Sequence, residues 1–251
     1  MAVASTNAGG YFSVGDVLNR ALNVCAANFV LFFAVTLVVS LPSLLFKLLT
    51  PAVDVSSWTG DTFLIAIILF LTAIIVSLFL NTIGEAVILY GAFQYLRGQP
   101  VVLGEALKRG LARFFPILGF AILYSIALLF ASLLLVVPGI ILFIMWTAAL
   151  PACVVEGLGP LDSMQRSSRL TKGYRWKIFG IMILLIIISA IVGGIVDLIL
   201  VQVGDVAGAF GTLIWAAVWS AYWNCVLVMI YHDLRVAKEG IDIEQIAAIF
   251  D

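Results

Sequence analysis

Apolar residues run along this chain in blocks of about 20, separated by short polar stretches. A helix needs about 20 mostly apolar residues to cross the roughly 30 Å hydrocarbon core of a bilayer. Six blocks are candidate spans: Phe29 to Leu49, Thr62 to Leu96, Phe115 to Val137, Ile140 to Val155, Ile178 to Leu198 and Val206 to Tyr231. The stretch "VVPGI" (136–140) splits an otherwise continuous run, because Pro beside Gly favours a turn. The fourth block is short and holds Pro151, which predicts a bent span tucked among its neighbours.

Between the blocks the period changes. Val14, Val17, Leu18, Ala21, Leu22 and Cys25 follow the i, i+3, i+4, i+7 spacing of one helix face, and so do Leu103, Ala106, Leu107, Gly110, Leu111 and Phe114. The opposite faces carry Asp16, Asn19, Arg20 and Asn23, and Glu105, Lys108, Arg109 and Arg113. This pattern predicts helices lying in the headgroup plane with the apolar face down. A third stretch, "PLDSMQRSS" (160–168), has Ser163, Ser167 and Ser168 in place of apolar residues, which predicts packing against protein instead.

The three stretches align. An acid stands at Asp16, Glu105 and Asp162, a large apolar residue two later at Leu18, Leu107 and Met164, and an arginine four later at Arg20, Arg109 and Arg166. Acid before base at i,i+4 is the favourable order on a helix surface. Two candidate spans follow each stretch. The chain therefore reads as three units of interfacial helix plus hairpin, over 12–97, 98–156 and 157–240, with a tail at 241–251.

Composition agrees with the pattern. The chain is 64% hydrophobic and 11% charged, against about 45–50% and about 25% in soluble domains. A soluble fold of this length could not cover so much apolar surface. The fold class expected is all-α integral membrane, with six transmembrane helices, interfacial amphipathic helices and three hairpin repeats. Net charge is near zero, so its placement says more than its sum. Of 13 Lys and Arg, only Lys47 falls on the side opposite the other 12. Basic residues concentrate in cytoplasmic loops, so both termini are expected in the cytoplasm. The first residues, "MAVASTNAGG", lack the basic region of a secretory signal. Cys25, Cys153 and Cys225 are odd in number and widely spaced; they read as small apolar fillers, with no disulfide framework and no metal spacing.

Candidate chemistry is sparse. Glu85 stands in "FLNTIGEAVILYG" one turn after Asn81. A charge at the bilayer centre costs at least about 2.5–3.5 kcal/mol, so a buried acid often serves a function. The second block, however, is about 52 Å long as a helix. Glu85 falls mid-membrane or at the inner interface according to which part is immersed. The plainer reading is a protonated or interfacial glutamate bonded to Asn81 or to another helix. Asn81, Glu85 and Asn224 form the candidate intramembrane polar site, with Asn224 also readable as interhelical glue. Arg20, Lys108, Arg109, Arg113, Arg166 and Arg169 are candidate contacts for lipid headgroups, or else they fix orientation and pair with acids. His232, beside Asp233 in "IYHDLR", reads as an interfacial pair. Trp215, Trp219, Tyr222 and Trp223 suit aromatic packing or an interfacial belt. Gly193-Gly194 and Gly208 with Gly211 permit close helix contact. No HExxH, GxSxG, Walker motif or CxxC pair occurs, so no catalytic residue, metal site or cofactor is assigned.

Two longer stretches carry a resemblance. "GQPVVLGEALKRGLARFFPILG" (98–119) and "PGIILFIMWTAALPACVVEGLGPLDSMQRSSRLTKGYRWKIFG" (138–180), closed by "IYHDLRVAKEGID" (230–242), resemble bacterial YciC-type membrane proteins. They also resemble the membrane domain that accompanies glycerophosphoryl diester phosphodiesterases. The resemblance implies a helical module of the bacterial inner membrane without established catalytic residues; the soluble phosphodiesterase domain has no counterpart here. The function expected is non-enzymatic, through membrane lipids, anionic ones included, or through assembly with a membrane-protein partner or a second copy, and with no nucleic acid. The alternative is a small transporter or lipid-translocating protein with a polar pathway near Glu85.

Overall fold

The computed structural model describes residues 12–49, 60–202 and 204–240. Within them the chain forms helices and turns and no strand. The helices are α1 (Val14–Ala27), α2 (Phe29–Leu49), α3 (Gly60–Leu96), α4 (Leu103–Ala112) and α5 (Phe114–Leu134), then α6 (Val136–Met145), α7 (Ala149–Val155), α8 (Pro160–Thr171), α9 (Arg175–Val201) and α10 (Asp205–Glu239). Five stretches are long and apolar enough to cross a membrane: α3, α5, α6 with α7, α9 and α10. A sixth is reached when α1 and α2, which meet at 85°, are taken together. Trp58 and the tail 241–251 lie outside the described residues.

A short amphipathic helix followed by two long apolar stretches recurs three times, the second stretch of the middle unit being the broken pair α6 and α7. Buried positions recur with it. The residue after the acid is Val17, Ala106 or Ser163, each fully buried, and four further on stand Ala21, Gly110 and Ser167, all buried. Each unit closes with a glycine at positive φ: Gly98 (71°), Gly157 (75°) and Gly240 (63°). A left-handed residue past the last turn ends a helix, and glycine adopts it without a Cβ penalty.

Prolines mark helix starts, which moves one predicted turn. Pro116, Pro138 and Pro151 are each the third residue of their helix, in α5, α6 and α7. A first-turn residue has no intrahelical use for its N–H, so proline costs little there. The break expected at Pro138-Gly139 therefore falls earlier, at extended Leu135 (φ −164°, ψ 146°), and α6 begins before the proline. The fourth span is interrupted at 146–148, not at Pro151. α10 runs to Glu239, well past the predicted end at Tyr231.

Burial is uneven along the long helices. Exposed large side chains crowd the described part of α3 from Phe63 to Phe79, and most of those described on α5 from Ile122 and on α9 from Ile186 are exposed, as are Phe210 and Ile214 of α10. The main core lies at the opposite, basic end. It joins α1, residues 86–93 of α3, α7, residues 178–185 of α9 and residues 221–234 of α10. Large apolar side chains without protein cover suit lipid, whereas the basic end buries them against protein. Small residues allow the close approaches: a Cβ on Gly110 would stand 3.3 Å from the Ile83 carbonyl oxygen. Gly193 packs against Trp215, and Gly208 and Gly211 against Leu200. Trp215 stacks on Trp219 at 5.7 Å.

Candidate functional site

The basic end carries a layer of polar side chains, built where α1, α4 and α8 meet the ends of α3, α7 and α10. Glu156, just past α7, sits at its centre. Arg166 Nε on α8 donates to both Glu156 oxygens at 3.0 Å. The other arm of Arg166 reaches Glu239 on α10 at 2.5 Å. Arg235 Nε donates to Glu239 at 3.2 Å, and the Tyr231 hydroxyl donates to Glu156 Oε1 at 2.7 Å. Burial works against the charge on Arg166, but the hydrogen bonds and charges of Glu239 and Glu156 outweigh it and raise its pKa above the usual guanidinium value. The cluster ties the end of the second unit to the end of the third.

Two further arginines are spent on helix ends. Arg109 donates to the Val154 and Val155 carbonyls at 3.4 and 3.3 Å and lies over the Tyr90 ring. Arg113 donates to the Gly157 carbonyl at 2.5 Å. The last carbonyls of a helix have no partner within it and carry the negative end of its dipole, so a guanidinium there serves both. The positive φ favours glycine at 157, and a side chain there would displace the end of Arg113. On α1, Arg20 pairs with Asp233, which also meets His232 Nδ1 at 3.0 Å.

α8 closes the interruption at 146–148. Ser167 Oγ donates to the Met145 carbonyl at 2.8 Å and accepts from the Ala148 N–H at 3.1 Å. Thr171 Oγ1 adds a second donor to Met145 at 3.2 Å. An interrupted helix leaves such groups unpaired, and buried they would cost about 1–3 kcal/mol each. Of the serines that weaken the amphipathic pattern of α8, Ser167 serves this backbone, while Ser163 Oγ donates to the Pro160 carbonyl at 2.7 Å.

Of the six candidate headgroup residues, Arg20, Arg109, Arg113 and Arg166 are thus partly buried and bound to protein groups. Lys108 and Arg169 are exposed, and no described hydrogen bond or ion pair engages either. Lys108 lines an open hollow of 270 Å³ with Tyr90, Glu105, Arg109 and Ala112. Gln94 Nε2 donates to Glu105 at 3.0 Å. Beside the hollow, Leu103, Leu107 and Leu111 are 47%, 42% and 50% exposed, in a row facing away from the protein.

The intramembrane candidates do not bond to one another. Asn81 and Asn224 each donate to a carbonyl one turn back on their own helix, Ser77 and Ser220. Glu85 is half-buried where α3 passes from its exposed to its buried part, and no described hydrogen bond reaches its carboxyl. The cysteines are free and buried. Among the described residues no three His, Cys, Asp or Glu side chains are grouped to hold a metal ion.

Sequence reasoning missed Glu156, Tyr231, Asp233, Arg235 and Glu239 as a set. All five lie in "EGLGPL" and "IYHDLRVAKEG", the stretches that carry the family resemblance; only their density of charge at a span exit marked them. No family model, no curated protein and no solved structure matches the chain, so it is assigned to no family.

Proposed function

We propose that the chain is a non-enzymatic, multi-pass protein of the bacterial inner membrane that holds lipid, anionic lipid included, at its basic end. That end, with both termini, faces the cytoplasm in this reading, as the placement of 12 of 13 Lys and Arg favours. One observation carries it: α4 turns a row of leucines outward with Lys108 beside them, a lysine that no described hydrogen bond or ion pair engages. That is the form of a helix seated among headgroups. Exposed Arg169, Lys172 and Trp176, the last 84% exposed, continue the surface along α8 and its turn. Each such basic residue gains about 1 kcal/mol from an anionic leaflet. A second membrane protein, or a second copy, is a partner of the same kind of surface.

Native mass spectrometry of gently extracted protein tests the reading. Anionic phospholipid should remain bound in excess over its share of the membrane, and a Lys108→Ala/Arg169→Ala/Lys172→Ala variant should lose that excess. Protein that emerges free of lipid would remove the proposal.

Transport is the second reading, and the unpaired Glu85 carboxyl favours it. Proteoliposomes carrying wild-type protein should then pass protons faster than those carrying Glu85→Gln. Equal rates would sink it.

A further inference from the structure

We propose that the hollow between α3 and α4 is a site for one aminophospholipid headgroup, its phosphate on Lys108 and its primary ammonium on Glu105. The inference rests on the lipid-holding reading above; it gives the Lys108 site a zwitterionic headgroup and leaves the anionic lipid to the exposed Arg169 and Lys172.

The order of side chains around α4 supports it. Leu111, Lys108 and Glu105 are three residues apart in succession, so they are neighbours along one diagonal of the helix surface, about 5–6 Å from Cβ to Cβ. Leu103, Leu107 and Leu111 form the apolar row on one side of that diagonal. An amphiphile lying across it meets leucine with its acyl chains, then a cation, then an anion. A phosphodiester joined to an ammonium by a two-carbon link presents the complementary sequence with the same reach.

The remaining groups sharpen the choice. Arg109, which also lines the hollow, turns two of its donors to the Val154 and Val155 carbonyls, and Lys108 is the lining cation without a described partner. Glu105 is held on one oxygen by Gln94, itself buried, which fixes the carboxylate and leaves the second oxygen to accept. A wall holding both signs of charge suits a headgroup holding both. A carboxylate accepts hydrogen bonds from a primary ammonium but not from a trimethylated one, and a headgroup with no cation meets it unfavourably.

The test is competition among phosphatidylethanolamine, phosphatidylcholine and phosphatidylglycerol of identical acyl chains, read by native mass spectrometry on the full chain. Phosphatidylethanolamine should occupy one site about fivefold more than phosphatidylcholine, the ratio given by about 1 kcal/mol. Glu105→Gln, which can still accept from Gln94, should bring that ratio to about one with melting temperature unchanged. Wild-type protein that holds lipid but shows no preference for the primary amine overturns the assignment and leaves the broader lipid reading standing. A preference that survives Glu105→Gln overturns it too, since the ammonium then lies elsewhere. Protein that holds no lipid overturns both.

Discussion

α4 and α8 share one arrangement of acid, apolar residue and arginine, yet they meet opposite surroundings. Ala106 and Ser163 occupy the same position and are both fully buried, and Gly110 and Ser167 are a second such pair. One position over, the helices diverge: Leu107 is 42% exposed and Met164 only 7%. α4 packs two small residues against the protein, adds polar contacts through Glu105 and Arg109, and turns its leucines away. α8 buries its apolar face, and its Ser167 and Thr171 satisfy the backbone beside 146–148. An amphipathic repeat can therefore be kept as a seat in the membrane in one unit and converted into an internal strut in another. What decides between them is whether a neighbouring helix needs its polar groups satisfied.

The largest effect expected is at Leu170, 2% exposed on the inner face of α8. Leu170→Ala should cost about 2–5 kcal/mol, the range for emptying a packed site. Unfolding followed by helical signal, as denaturing detergent replaces mild detergent, measures it. A loss under 1 kcal/mol would mean that α8 is no more enclosed than α4.

The two repeat arginines come next. Arg166→Ala would leave Glu156 and Glu239 sharing Arg235 alone, at 3.9 and 3.2 Å. Breaking a fully buried pair costs about 3–5 kcal/mol; with Arg166 about a fifth exposed, about 2–3 kcal/mol is expected. Arg109→Ala uncovers only neutral carbonyls at a helix end that water can reach, and should cost about 1 kcal/mol. Equal losses would show that the charges of Glu156 and Glu239 are satisfied by something else.

Ser167→Ala is a smaller change. The Ala148 N–H loses its acceptor, while the Met145 carbonyl keeps the Thr171 hydroxyl. About 1–2 kcal/mol should go. Faster hydrogen exchange confined to residues near 148 would locate the loss at the interruption, and exchange spread evenly over α8 would count against that role.

What was legible in the sequence follows the range of the forces involved. Span positions and the small amphipathic helices come from local periodicity, and the structure places α2 at 29–49 and α4 at 103–112, within a residue of the pattern. Pro138 misplaced a turn because proline at a helix start and proline in a loop look alike until the first hydrogen bond is assigned. The Glu156 cluster was hidden for a different reason. Glu156 and Tyr231 are 75 residues apart, and no spacing rule connects them. Ser167 was seen as a flaw in an apolar stripe because the carbonyl it serves is 22 residues back.

The smallest effect on stability, and the most telling on the comparison, is expected from Leu107→Gln with Leu111→Gln. Neither side chain fills protein space, so the folded protein in detergent should change by less than about 0.5 kcal/mol. In a bilayer the same pair is in contact with acyl chains or headgroups, and two polar amides there replace the contact that seats α4. Bound lipid counted after extraction should fall, and spin labels at Lys108→Cys should report greater access to water-soluble quenchers than in the parent Lys108→Cys protein. If instead the double variant unfolds as readily as Leu170→Ala, the leucines are packed against protein, α4 and α8 are the same kind of element, and the contrast between them disappears.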